Sequence, residues 1–239
     1  MARLYYDLHI HSSLSPCAAD NMTPGNIVGM AAVKDLDVIA LTDHNSCKNL
    51  PAFMEFAKRF NKIAIPGIEL STIEDVHLLG LFPTLHNAMK FGEYINHRLS
   101  DIKNNEIIFG KQEIFDENDE IVGNEEKLLI NAALITIEEA HDKINSNNGI
   151  MIPAHIDKPA NSLLSNLGFV PENSKFTCIE VKDKENEEEI ISKNPYLKKC
   201  NIIYNSDAHY LYDISEPEHY IEVRSKTIAD ILETLITKK

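Results

Sequence analysis

Short apolar runs alternate with amphipathic stretches along this chain, and the runs stop at imidazoles or carboxylates. Residues 4–10 lead through His9 to His11, and residues 38–42 lead to His44. Residues 63–69 finish on Glu69, and His77 stands near the front of the run 76–81. Residues 149–153 precede His155, and residues 202–204 precede Asp207 and His209. Runs this short, read with 178–181 as a further strand, are too brief for buried helices. Between them lie helical patterns at about 24–34, 51–60, 136–145 and 227–237, the first opened by Thr23-Pro24 as N-cap and first-turn proline. Strands alternating with helices predict an α/β fold around a parallel sheet covered on both faces.

The spacing of the ionisable residues suggests chemistry. One metal ion takes three or four protein ligands. The chain offers about twice that number, dispersed from residue 9 to residue 209, so more than one ion is expected. His9 and His11 are two apart on a strand and point the same way, with Leu8 and Ile10 expected on the opposite wall. Asp43, beside His44, is placed to fix an imidazole tautomer. Catalytic groups of β/α barrels gather at the C-terminal ends of the strands. His77 fits that rule worst, because it starts its run.

At 239 residues the chain fits a single domain, 1–239, and its 44% apolar content supports a sizeable core. No signal peptide and no 18-residue apolar stretch is visible, so neither export nor a membrane span is expected. Four cysteines without regular spacing fit a reducing cytoplasm. The net charge of -14 argues against an extended nucleic-acid surface. A small phosphorylated substrate remains compatible, because bound divalent ions are absent from the formal count.

Residues 84–135 break the alternation and are read as an insertion, either a small lid subdomain or an ordinary surface excursion. Within it, 91–99 is expected to be helical and 113–122 to form a hairpin around Glu117-Asn118-Asp119. Arg98 and Lys103 could reach from it over the site to a phosphate, the alternative being a solvated helix face. Residues 185–189 read as a solvated acidic face.

Five segments together resemble the polymerase and histidinol phosphatase (PHP) domain family over nearly the whole chain. They are Asp7-Leu-His-Ile-His11-Ser, Ile39-Ala-Leu-Thr-Asp-His-Asn45, Gly67-Ile-Glu-Leu-Ser71 with His77 beyond it, Pro153-Ala-His155, and Ser206-Asp-Ala-His209. The resemblance is greatest to stand-alone bacterial metal-dependent phosphoesterases. It implies a distorted seven-stranded β/α (TIM-like) barrel with three divalent ions, manganese, iron or zinc. His9, His11, Glu69 and Asp207 would hold the first ion, and Glu69 would bridge to a second on His77 and His155. His44 and His209 would hold the third, with a ligand from the loop after His11. There the chain departs from the family's Ser-Asp-Gly: Ser15-Pro-Cys-Ala-Ala-Asp20 offers Asp20, the preferred choice, or Cys17.

The activity implied is hydrolysis of a phosphate monoester by metal-bound hydroxide, on a nucleotide such as a 3',5'-bisphosphate or on an RNA end. Asn45 and Lys158 become candidates for phosphate contacts by proximity to the motifs. A catalytically silent metal-binding domain and an amidohydrolase are the alternatives. His86, His97, His141 and His219 match no motif and are read as surface or packing residues, Asp7 as a support of the first strand, and Cys47, Cys178 and Cys200 as core thiols.

Overall fold

The computed structural model describes residues 1–171 and 174–238. The chain runs β1 (Ala2–Ile10), α1 (Pro24–Val33), β2 (Val38–Leu41), α2 (Leu50–Arg59), β3 (Ile63–Ser71) and β4 (His77–Leu81). The segment read as an insertion follows, with α3 (Leu85–Asn96), α4 (Glu106–Phe109), β5 (Glu113–Phe115) and β6 (Ile121–Asn124). After it come α5 (Ile137–Ser146), β7 (Ile150–Pro153), α6 (Leu163–Leu167), β8 (Cys178–Glu180), α7 (Glu187–Lys193), β9 (Asn201–Ile203), β10 (Tyr220–Val223) and α8 (Ile228–Ile236). The first helix begins as its sequence dictates: the Thr23 hydroxyl accepts from Asn26 N, with proline in the first turn.

The α/β class holds, but the sheet is not a seven-stranded barrel of parallel strands. Six strands form one curled sheet in the order β10-β1-β2-β3-β4-β7, and β8 and β9 stand as a separate parallel pair. Only β1, β2 and β3 are joined by parallel ladders within the large sheet. A tight connection returns β4 antiparallel to β3, because residues 72–76 are too few for a crossover helix. β7 then pairs antiparallel with β4, and β10 covers the free edge of β1. Beyond the strand ends, single bonds continue the curl: Ile156 N donates to Glu180 O, and His11 N to Ala208 O.

Alternation along the strands sorts the core into two layers. Val38 and Ala40, Leu79 and Leu81, and Ile150 and Ile152 pack with Leu4, Leu8 and the α8 residues Ile231, Leu232 and Leu235. The intervening Ile39, Leu41, Leu78 and Met151 face the larger cluster, which includes Phe53 of α2 and Phe91 of α3. Leu8 and Ile10 do not share a wall as expected. A register shift between Asp7 and Ile10 sends Ile10 into the outer cluster.

The insertion forms its hairpin with the turn where the sequence placed it, and it clasps the body. The Asp119 carboxylate accepts from Gly25 N at 3.0 Å and from the Thr23 hydroxyl, so it caps α1. A Cβ at residue 25 would lie 2.6 Å from Asp119 Oδ2, so a larger residue there would displace the carboxylate. Asn49 fastens β5 by donating to Glu113 O and accepting from Phe115 N. The insertion's helix starts at Leu85, six residues before the expected position, behind Thr84 as N-cap.

Candidate metal centre

Strand direction explains how eight ionisable side chains meet at one end of the sheet. His9, His11, His44 and Glu69 lie at or near the C-terminal ends of the parallel strands β1, β2 and β3. His77 opens β4, but β4 is antiparallel, so its start pairs with Ser71 at the same edge. That removes the misfit noted for His77. His155 follows β7, and Asp207 and His209 follow β9. His155 and Asp207 have left-handed backbones, with φ of 28° and 53°. Such conformations are costly for non-glycine residues and are concentrated at functional sites.

Glu69 is the hub. Its carboxylate lies 3.0 Å from His77 Nδ1, 3.0 Å from His44 Nδ1, 3.1 Å from His155 Nε2, 3.2 Å from His9 Nε2 and 3.3 Å from His11 Nε2. Burial opposes its ionisation, but the imidazoles of His77, His9 and His44 outweigh that and hold the carboxyl well below its usual range. Asp207 Oδ1 lies 3.2 Å from His9 Nε2 and 3.4 Å from His11 Nε2. Burial is again overcome, chiefly by His9 and His11, and Asp207 stays ionised.

Hydrogen bonds behind the rings settle which nitrogens face inward. His9 Nδ1 lies 3.0 Å from both oxygens of Glu180, so that nitrogen carries the proton and Nε2 presents a lone pair. Glu180 is itself fixed by His155 N and Asn205 Nδ2. His11 Nδ1 donates to Ser15 Oγ at 3.0 Å. Ser15 Oγ also accepts from His44 N and donates to Asp43 Oδ1 at 2.8 Å. Asp43 therefore reaches the rings through Ser15, and it accepts from Ser12 N and Ser12 Oγ as well. His209 Nδ1 donates to Asp207 O, leaving its Nε2 free.

The donors fit divalent cations. His9 Nε2 and His11 Nε2 approach to 3.1 Å beside two carboxylates, and once deprotonated they would direct two lone pairs at one another. Neutral rings in that arrangement repel, and a cation between them removes the conflict. Among the described residues, three donor groups have ligating atoms within 4.8 Å of one another: His9, His11, Glu69 and Asp207; His44, Glu69 and His77; His11, His44 and His209. Mixed imidazole and carboxylate donors suit zinc, manganese or iron. His44, Glu69, His77, His155, Asp207 and His209 line a cleft of about 400 Å³ with Cys17, Ile130, Lys158 and Asn161, and His9 and His11 lie behind that lining.

The remaining sequence candidates separate clearly. Lys158 reaches the site, with Nζ on Asp207 Oδ2. Asn45 lies beside it, but its side chain is spent on the backbone: it donates to Leu129 O and Asn131 O and accepts from Ser71 N. Both hydrogens of its amide are therefore committed to the backbone. Arg98 donates to Leu134 O and lies over the Tyr94 ring, outside the cleft lining. Lys103 is exposed, with its backbone paired to that of Lys127. Asp20 is exposed and belongs to none of the donor groups among the described residues.

Glu180 was missed, as were Ser15 and Asn205. The signal for Glu180 was present, a carboxylate inside the apolar run 178–181 and at the same strand-end position as the ligands.

Comparison with known proteins agrees with this geometry. The PHP domain family model matches residues 7–164. The 5'-3' exoribonuclease Rnm of Salmonella typhimurium is 34% identical over 92 residues, which cover 36% of this chain and 30% of that protein. The lesion-specific endonuclease PfuEndoQ of Pyrococcus furiosus superposes with a TM-score of 0.68 at 20% identity, over 98% of this chain and 56% of that one. An amidohydrolase from Chromobacterium violaceum superposes with a TM-score of 0.62 at 16% identity, over 98% of each chain. The two solved structures share the fold. The present chain matches less than a third of the exoribonuclease and spans little more than half of the endonuclease.

Proposed function

The chain belongs to the PHP domain family, and on that footing we propose that it is a metal-dependent phosphoesterase. Its substrate is a phosphoester at the end of a nucleotide or short nucleic acid, with a nucleotide phosphate monoester as the simplest form. The observation that carries the reading is the ring of five imidazoles around Glu69, with Asp207 beside it. His9, His11, Glu69 and Asp207 would hold one ion, Glu69 with His77 and His155 a second, and His44 with His209 a third. Divalent ions there supply positive charge to phosphoryl oxygens and lower the pKa of water.

The chain's own groups do the positioning. Glu180 keeps the proton on His9 Nδ1, and Ser15 takes the proton of His11 Nδ1, so both Nε2 lone pairs stay directed inward. Lys158 stands at the cleft wall with its side chain 35% exposed. Burial opposes its charge, but Asp207 outweighs burial and raises its pKa, so the ammonium persists and can meet a phosphate oxygen. The small cleft and the net charge of -14 favour a chain end over a long duplex. The exoribonuclease relative supports a nucleic-acid end as the substrate class.

The test is a panel of 3',5'-bisphosphonucleosides, nucleoside monophosphates and 5'-phosphorylated oligoribonucleotides, incubated with protein of measured metal content. Release of phosphate or nucleotide from one class, abolished in His155→Ala, is the expected result. Metal-loaded protein that hydrolyses none of them would favour a silent metal-binding domain.

An amidohydrolase would instead cleave a C–N bond, and hydrolysis of an amide panel alone would point there. No described helix is long and apolar enough to cross a membrane.

A further inference from the structure

Donor counting leaves the third ion short of a ligand. His11, His44 and His209 lie within one 4.8 Å group, yet His11 has a single lone pair available. Its Nδ1 hydrogen goes to Ser15, and its Nε2 faces Glu69 and Asp207 at 3.3 and 3.4 Å. That leaves His209 Nε2 and the imidazole of His44. His44 is 4% exposed, and its Nδ1 stands 3.0 Å from Glu69 Oε2 with no hydrogen bond formed between them. Two imidazoles do not complete an ion's protein ligands.

The loop that follows His11 decides what completes them. Ser15 fixes its start through His11, His44 and Asp43. A turn then closes with Ala18 N on Ser15 O, and Ala19 N donates to His209 O at 2.9 Å. The loop is thus tied to the backbone of one of the two orphaned ligands. Cys17, inside that turn, lines the cleft beside His44 and His209. Asp20, beyond the turn, is exposed and absent from the cleft lining.

We propose that Cys17 Sγ, and not Asp20, completes the third ion's site with His44 and His209, and that this site selects a thiophilic ion such as zinc over manganese. The inference rests on the metal-centre reading above. Sγ lies outside the 4.8 Å group, on the wall of the cleft that His44 and His209 also line, so its approach to an ion there requires movement of the side chain. On binding, the Sγ–H bond breaks heterolytically. The proton passes to solvent and the sulfur electron pair binds the ion. Thiolate is the soft ligand that discriminates zinc from manganese.

The test uses the full chain, stripped of metal and titrated with Co²⁺. Wild type should develop a thiolate-to-cobalt charge-transfer band in the near ultraviolet. Cys17→Ser should lose the band and one equivalent of ion. Cys17→Asp should keep the ion, lose the band and shift the preference of that equivalent from zinc toward manganese. Asp20→Ala should leave the band unchanged. Cobalt bound by wild type with no such band overturns the inference alone, as does a band that survives Cys17→Ser. Failure of wild type to bind any cobalt overturns the metal centre itself, and Cys17's role with it.

Discussion

His9 Nε2 and His11 Nε2 stand 3.1 Å apart, and each ring has already committed its other nitrogen, His9 to Glu180 and His11 to Ser15. A ring whose proton is fixed on one side offers a lone pair on the other. The pair of rings is therefore built to be satisfied by a cation, and the groups that fix the protons matter as much as the ligands.

Glu180→Gln tests that dependence. The amide can still accept from His9, but it removes the charge behind the ring. Affinity for the first ion should fall by about 10–100-fold, the usual effect of losing such support. Isothermal titration with Zn²⁺ or Mn²⁺ measures it. Unchanged affinity would mean that Glu180 merely fills space.

Asn45→Ala separates structure from substrate binding. The variant leaves Leu129 O, Asn131 O and Ser71 N without their partner, and each buried orphan costs about 1–3 kcal/mol. The residue also holds a left-handed φ of 50°, which asparagine tolerates better than alanine. A large drop in melting temperature with KM nearly unchanged is expected. A raised KM in a protein of normal stability would restore Asn45 to the substrate site.

Proton competition sets the pH dependence of ion binding. In the metal-free protein burial alone would lower His11, but Asp207 and Glu69 outweigh it and raise it to about 9. His9 is raised in the same direction, with Glu180 and Asp207 overcoming burial. Burial holds His44 at about 4 and His209 at about 3, so both are neutral well below pH 7. An incoming ion must therefore displace protons from His9 and His11, and affinity should climb from pH 7 toward pH 9. Stability of the metal-free fold moves the other way. A raised imidazole stabilises fully below its ordinary value near 6.5, and that contribution is lost as pH rises through about 9. The gap in melting temperature between metal-loaded and metal-free protein should widen over this range. A gap that narrows would contradict the assignment.

Much of the site could be read from the sequence because ligands must stand at strand ends, and strand ends are visible where apolar runs stop. The strand-end positions of His9, His11, His44, Glu69, His155, Asp207 and His209 were visible that way, and the fold brings these side chains together. Strand direction was not visible. Periodicity is the same in parallel and antiparallel strands, so His77 looked misplaced until β4 proved to run antiparallel. The sheet's six-strand order and the edge strand β10 were hidden for the same reason. Loop conformation was equally opaque. Asp20 and Cys17 lie three residues apart, and only the turn anchored by Ser15 and His209 O shows which one faces the cleft. Arg98 looked available because sequence does not show that Leu134 O and Tyr94 occupy it.

The most direct test of the account is hydrolysis of a 5'-phosphorylated oligoribonucleotide and a 3',5'-bisphosphonucleoside before and after chelation, in wild type and in Glu69→Gln. Chelated wild type should be inactive and should recover as divalent ions are restored. Glu69→Gln should remain folded and lose at least about 100-fold in rate, the scale expected when an electrostatic centre of catalysis is removed. Hydrolysis that persists undiminished in the stripped protein, or in Glu69→Gln, would contradict a mechanism organised around the carboxylate at the hub of these five imidazoles.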